Sequence, residues 1–181
     1  VEVVGTAEIY PSKARKQREG FDKASLPGAP GSSLYVEDEI RVSAFSIARG
    51  AIPGAEVEFL DGAYVQLSKK GMVLKRGLIR VTVEEGRHLK IGSSVGSASL
   101  AAGAYRLAAD GSANRFFVHV EQGTAAAETL AGQQGTADAG GLLMLNKDGV
   151  TTPDAKQALS LNARCRKEGA DAVSATRVVT G

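Results

Sequence analysis

Short alternating runs separated by glycine turns limit, more than any other feature, what this chain can fold into. Ile40–Ala44, Ala55–Phe59 and Ala63–Leu67 alternate apolar with polar residues, and Leu78–Val83 sets Ile79, Val81 and Val83 on one face. Leu89 with Ile91, Tyr105 with Leu107, and Phe116 with Val118 and Val120 add three more runs. The Asp61-Gly62 dipeptide separates two runs as a turn whose glycine supplies positive φ. Asp110-Gly111, Asp148-Gly149 and Gly71, Gly86, Gly92, Gly103 and Gly123 repeat the turn chemistry further along. Strands recurring every ~8–12 residues predict an all-β body of antiparallel strands, solenoid-like or sandwich-like. No strict period runs through the sequence, so a regular β-helix repeat is not demonstrated. The first residues, Val1–Ile9, read as one further strand.

Two segments interrupt this pattern. Residues 11–33 carry Lys13, Arg15, Lys16, Arg18 and Lys23, end in Pro and Gly, and hold only Phe21 and Leu26 as bulky apolar residues. Too little apolar surface is present there to offset the entropy of ordering, so a mobile surface loop is expected. Its basic run could dock on an anionic surface. At the other end, Thr152-Pro153-Asp154 reads as a helix start, and Gly169 after Arg164, Arg166 and Lys167 reads as its stop. The expected organisation is a β domain over 1–150, with a helix and tail over 151–181 packed on it.

Composition excludes several function classes. The 181 residues are 43% hydrophobic and 23% charged, which suits a globular core and not wholesale disorder. No run of ~18 apolar residues is present, so this segment is not expected to span a membrane. A net charge of +2 and 5% aromatics argue against nucleic acid as a partner, which would want basic residues interleaved with stacking rings. The single cysteine rules out an internal disulfide and any multi-thiolate zinc site.

Little in the sequence suggests catalysis. His88 and His119 stand alone beside or within strands, in no spacing that pairs a base with a nucleophile or holds a metal. Cys165 falls on the apolar stripe of the expected C-terminal helix, where a free thiol behaves as a small hydrophobe. Gly92–Ser97 has no Lys-Ser/Thr and no helical pattern behind it, so it reads as a turn and not a phosphate cradle. No catalytic residue, metal or cofactor is therefore expected. Tyr64 and Tyr105, with their large rigid rings and polar tips, are the candidate partner contacts, together with Lys13, Arg15, Lys16 and Arg18.

Between Tyr35 and Leu145 several short motifs stand in order. They are Tyr35–Val42, the strand–turn–strand Ala55–Leu67, Gly77–Val83, Leu100–Leu107, Phe117–Gly123, and Leu130-Ala-Gly-Gln-Gln134. In that order and spacing the chain resembles the FecR-type domain family, found in extracytoplasmic parts of bacterial anti-sigma regulators and other envelope proteins. Ala104 stands where the family usually has Thr, and residues 11–33 are an insertion. The resemblance implies a β-rich body that binds other proteins and has no known active site to carry over.

The expectation is thus a non-catalytic, periplasmic or cell-surface module for protein interaction or signal relay. Its partner would be another envelope protein, such as an outer-membrane receptor or a secretion or motility component. An anchor or signal in a removed N-terminal segment is part of the expectation. The alternative is an envelope structural module that holds glycan or peptidoglycan through the basic loop and the Tyr64/Tyr105 surface.

Overall fold

The computed structural model describes residues 2–20, 24–60 and 62–153. In chain order the first elements are β1 (Glu2–Val4), β2 (Ala7–Tyr10), helix α1 (Lys13–Glu19), β3 (Leu26–Pro27), β4 (Glu39–Val42) and β5 (Ile47–Ile52). Next come β6 (Ala55–Phe59), β7 (Tyr64–Ser68), β8 (Gly71–Val83), β9 (Leu89–Gly92), β10 (Gly96–Leu100) and β11 (Gly103–Asp110). The last are β12 (Arg115–Gln122), β13 (Thr124–Thr129), β14 (Gln134–Asp138), β15 (Leu142–Asn146) and β16 (Gly149–Thr151).

These strands build two sheets that share β8. The first runs β1-β5-β6-β8-β11-β12-β15-β16. The second runs β3-β2-β4-β7-β8-β9-β10-β13-β14. Pairing is antiparallel except between β8 and β9. One continuous apolar cluster draws Val57, Ile79, Val81 and Leu107 from the first sheet and Ile40, Val65, Leu74 and Ile91 from the second. The fold is all-β, the sandwich-like form of the two expected. Alternation works as read: Ile79, Val81, Val83, Val118 and Val120 are all buried, while Glu56 and Glu58 stand outside.

Strand β8 is thirteen residues long because it serves both sheets. Residues 71–76 pair with β7, and residues 77–83 pair with β11. At the changeover Gly77 takes φ +88°, and a Cβ there would lie 2.7 Å from Ala63 Cα and 2.8 Å from Ala63 N. Both the backbone conformation and the close approach demand glycine. At the expected turn Gly62 takes φ +68°. Strands β6 and β7 do not pair with each other but with different halves of β8.

Three expectations are corrected. Val1–Ile9 is not one strand: Gly5, at φ +90° and against the Ser46 side chain, sends β1 into one sheet and β2 into the other. At Asp110-Gly111 the positive φ belongs to Asn114, not the glycine. There the Asp110 carboxylate accepts from the Ser112 hydroxyl and amide, the Ala113 amide and Arg115, which hold its pKa down at about 2.

The third concerns residues 11–33, expected as a loop without regular structure. Helix α1 and β3 occupy part of that stretch. Ser12 caps the helix by accepting from the Arg15 amide at 3.2 Å, and Gly20 ends it at φ 69°. The helix expected from Thr152 onward, with Cys165 and the tail, lies outside the described residues apart from Thr152 and Pro153. No described helix is long and apolar enough to cross a membrane.

Truncating a buried branched side chain costs transfer energy and leaves a cavity. Val81→Ala should therefore lose about 1–4 kcal/mol and several degrees of melting temperature. Gly77→Ala should cost more, although it adds one methyl group on the rim of the core. Thermal melts of the two variants check both statements; a Gly77→Ala protein that melts with the wild type would contradict the changeover.

Candidate functional site

The outer face of the second sheet carries an ordered cluster of rings and charges. Alternation turns Tyr10 on β2, Glu39 and Arg41 on β4, and Tyr64 on β7 away from the core, while Ile9, Ile40 and Val65 are buried. Register brings them together: Tyr10 lies opposite Glu39, and Arg41 opposite Tyr64. The β7–β8 pairing shifts at Tyr64, which faces Arg76 while Val65 faces Leu74. That irregularity leaves Lys75 as the extra residue, and it reaches the same face.

The Arg41 guanidinium lies 4.1 Å from the Tyr10 ring centroid and 4.3 Å from that of Tyr64. Each such contact contributes about 0.5–1 kcal/mol at an exposed site. The Glu39 carboxylate accepts from Lys75 at 2.8 Å, from the Tyr64 hydroxyl at 2.7 Å and from Arg41 at 3.2 Å. Burial pushes the Glu39 carboxyl up, but these three donors outweigh it and hold the pKa below 4.5. The Tyr10 hydroxyl donates to Glu8 at 2.6 Å, and that bond to a carboxylate raises its pKa. The result is two rings bracketing Arg41 beside a carboxylate with three donors.

A second network lies just beneath. The Asp38 carboxylate is fully buried and accepts from the Ser12 amide at 2.9 Å, the Tyr35 amide at 3.2 Å and Arg15 Nη1 at 2.5 Å. Arg15 also donates to Glu19 at 3.1 Å and stacks over the Tyr35 ring at 4.3 Å. Arg15, expected to meet a partner, is thus an internal strut. Lys13 and Arg18 are exposed and Lys16 half-exposed on the same helix, with Arg18 3.4 Å from Glu19.

Tyr105 is also corrected. It faces the core with no exposed surface, its hydroxyl directed at the carbonyls of Ala101 (2.8 Å) and Thr124 (3.0 Å), and burial raises its pKa. Tyr64 and Tyr105 therefore form no common surface, and the glycan-binding face drawn from them and the basic run is not assembled. His88 is exposed. His119 is half-buried, burial lowers its pKa, and its Nδ1 finds no partner among the described residues. Among those residues no three His, Cys, Asp or Glu gather into a metal-binding group. Sequence reasoning missed Tyr10, Glu39, Arg41, Lys75 and Asp38; only their alternation with buried neighbours marked the outward four.

No family model matches the sequence, and no curated protein matches it significantly. Among solved structures, two crystal structures of a candidate anti-sigma factor from Parabacteroides distasonis ATCC 8503 match, each with a TM-score of 0.54. Identities are 13% and 12%, and each match covers 64% of this chain and 59% of that one. At such identity the likeness establishes a shared fold.

Two predictions follow from the paired networks. Asp38→Ala strips a buried cation of its main partner and should cost toward the low end of about 3–5 kcal/mol, since Arg15 keeps Glu19; chemical denaturation measures it. Glu39 has a depressed pKa, so its contribution is complete above its unfolded value near 4.5 and is lost as pH falls through the folded value. The ring resonances of Tyr64 should shift in that acidic window, and should not in Glu39→Gln.

Proposed function

We propose that this chain is a non-catalytic, extracytoplasmic FecR-type module that relays a signal by contact with another envelope protein. The supporting observation is the two-sheet fold shared with a protein described as a candidate anti-sigma factor, found on a chain whose motifs follow the FecR-type order. In this reading regulation works through binding: a partner docks on a preformed surface, and its presence shifts what the rest of the protein can contact. The Tyr64–Arg41–Tyr10 stack suits such docking. Its rings are already immobilised, so little side-chain entropy is lost on contact. Tyr and Arg are also the side chains in which interface energy concentrates.

The test is affinity capture from an envelope extract with wild-type protein and Tyr64→Ala at matched stability. A receptor, secretion or motility protein should be retained by the wild type and lost or strongly weakened with the variant. Removing such an anchor typically costs about 2 kcal/mol or more in binding, close to thirtyfold. Turnover of an acyl, glycosyl or phosphoryl substrate that disappears in His119→Ala would overturn the reading.

A further inference from the structure

A groove of about 740 Å³ opens where the 32–36 segment meets the β5–β6 turn, the β7–β8 turn and the residues leading into β9. Its volume is in the range that takes a few side chains of a ligand. Tyr35 and Val36 stand at its lip with 41% and 47% of their surfaces in solvent. Ile52 and Pro53 continue the apolar wall, and Lys69, Lys70 and His88 form the rim. None of the lining residues is acidic. Glu37, next to Val36, is exposed but does not line the groove, and Glu84 and Glu85 are likewise outside it.

The apolar lip is held open at a cost. Glu37 adopts φ 71°, a left-handed conformation that a non-glycine residue adopts under strain, at the point where Tyr35 and Val36 are turned outward. The Asp38 carboxylate on one side and the Glu37 amide bonded to the Leu67 carbonyl at 3.0 Å on the other hold this turn in place. Arg15 and Arg18 hold the Tyr35 ring at 4.3 and 5.6 Å, their own charges answered by Asp38 and Glu19. A preordered apolar lip beneath a cationic rim is complementary to one kind of ligand.

We infer that this groove docks an extended acidic segment of a partner protein, one that alternates carboxylates with bulky apolar side chains. The carboxylates meet Lys69 and Lys70, and an aliphatic or aromatic side chain covers Val36, Ile52 and the Tyr35 ring. This deepens the proposed function and rests on the reading that the chain binds a protein partner. The surface is separate from the Tyr64 stack, so the two can be tested apart.

The experiment is an NMR titration of the whole isotope-labelled chain with a short synthetic peptide alternating Asp or Glu with Leu and Phe. Amide shifts should concentrate at Tyr35, Val36, Ile52, Lys69, Lys70 and His88. The double variant Lys69→Glu/Lys70→Glu, whose side chains are exposed, should keep the wild-type melting temperature and bind about tenfold more weakly. Raising the salt should weaken binding by the wild type. Replacing Leu and Phe in the peptide by Ser should abolish the shifts. Equal binding of a Lys-rich counterpart, shifts centred elsewhere, or no response at millimolar peptide would overturn the inference. If an envelope partner is captured through Tyr64 while the acidic peptide leaves the groove unmoved, the groove assignment fails and the module reading stands.

Discussion

At the end of the sandwich, two chain corners lie against each other, and the arrangement of both sheets depends on that contact. Strand β8 changes sheets at Gly77, directly over the corner by which the chain leaves β6 for β7. The corner is closed by the Ala63 amide on the Leu60 carbonyl at 2.9 Å and tied to β8 by the Leu60 amide on the Leu78 carbonyl at 3.0 Å. A side chain at 77 would enter the backbone of Gly62 and Ala63. With the corners stacked, one long strand presents a pairing edge to β7 and β9 with its first half and to β6 and β11 with its second. Two sheets thereby grow from a single strand, and the buried residues on each side share one core.

The second sheet carries this order outward. Strand β7 pairs with the first half of β8, and β4 pairs with β7. Asp38, immediately before β4, points inward and collects Ser12, Arg15 and Tyr35; Glu39, the next residue, points outward and collects Arg41, Tyr64 and Lys75. Two adjacent carboxylates on opposite faces thus organise two different networks, as the two-residue period of a strand requires. Net stabilisation from a buried ion pair is small, because desolvation offsets most of the attraction. What the Asp38 pair supplies is position: it seats helix α1 and the Tyr35–Glu37 turn against the body.

Local chemistry was readable from the sequence, and long-range pairing was not. The alternation over Leu78–Val83 and Phe116–Val120 placed the inward residues correctly, since a period of two records burial directly. The same alternation puts Tyr105 in phase with the buried Leu107, so its burial was legible in the pattern although its residue type suits a surface contact. Asp61-Gly62 announced a turn, but a turn dipeptide does not say whether the next strand returns beside the last or passes to another sheet. Helix α1 left no apolar stripe to detect, because its inward residue is Arg15, held by a carboxylate 23 positions away. The Tyr10–Arg41–Tyr64 stack joins three strands, and no spacing within one strand encodes it.

These networks also divide the surface by chemistry. In the stack every charge is already answered: Glu39 has three donors, and Arg41 is covered by a ring on each side. A partner meeting that face finds ring edges and aliphatic stems, so contact there is governed by shape and by the exclusion of water. Around the groove the balance is reversed. No described carboxylate forms an ion pair with Lys69 or Lys70, and the apolar lip beneath them is exposed. In the proposed docking, contact there is governed by charge, which steers encounter from a distance and weakens with salt. The Asp38 strut supports the lip of the groove from one side and continues into β4 on the other, so it joins the two surfaces. Loosening Asp38 would disturb the groove directly, through Tyr35, while β4 would still be held to β2 and β7 by its ladder. The two surfaces are joined a second time along β7, which carries Tyr64 and runs on to Leu67 and Ser68 in the groove lining.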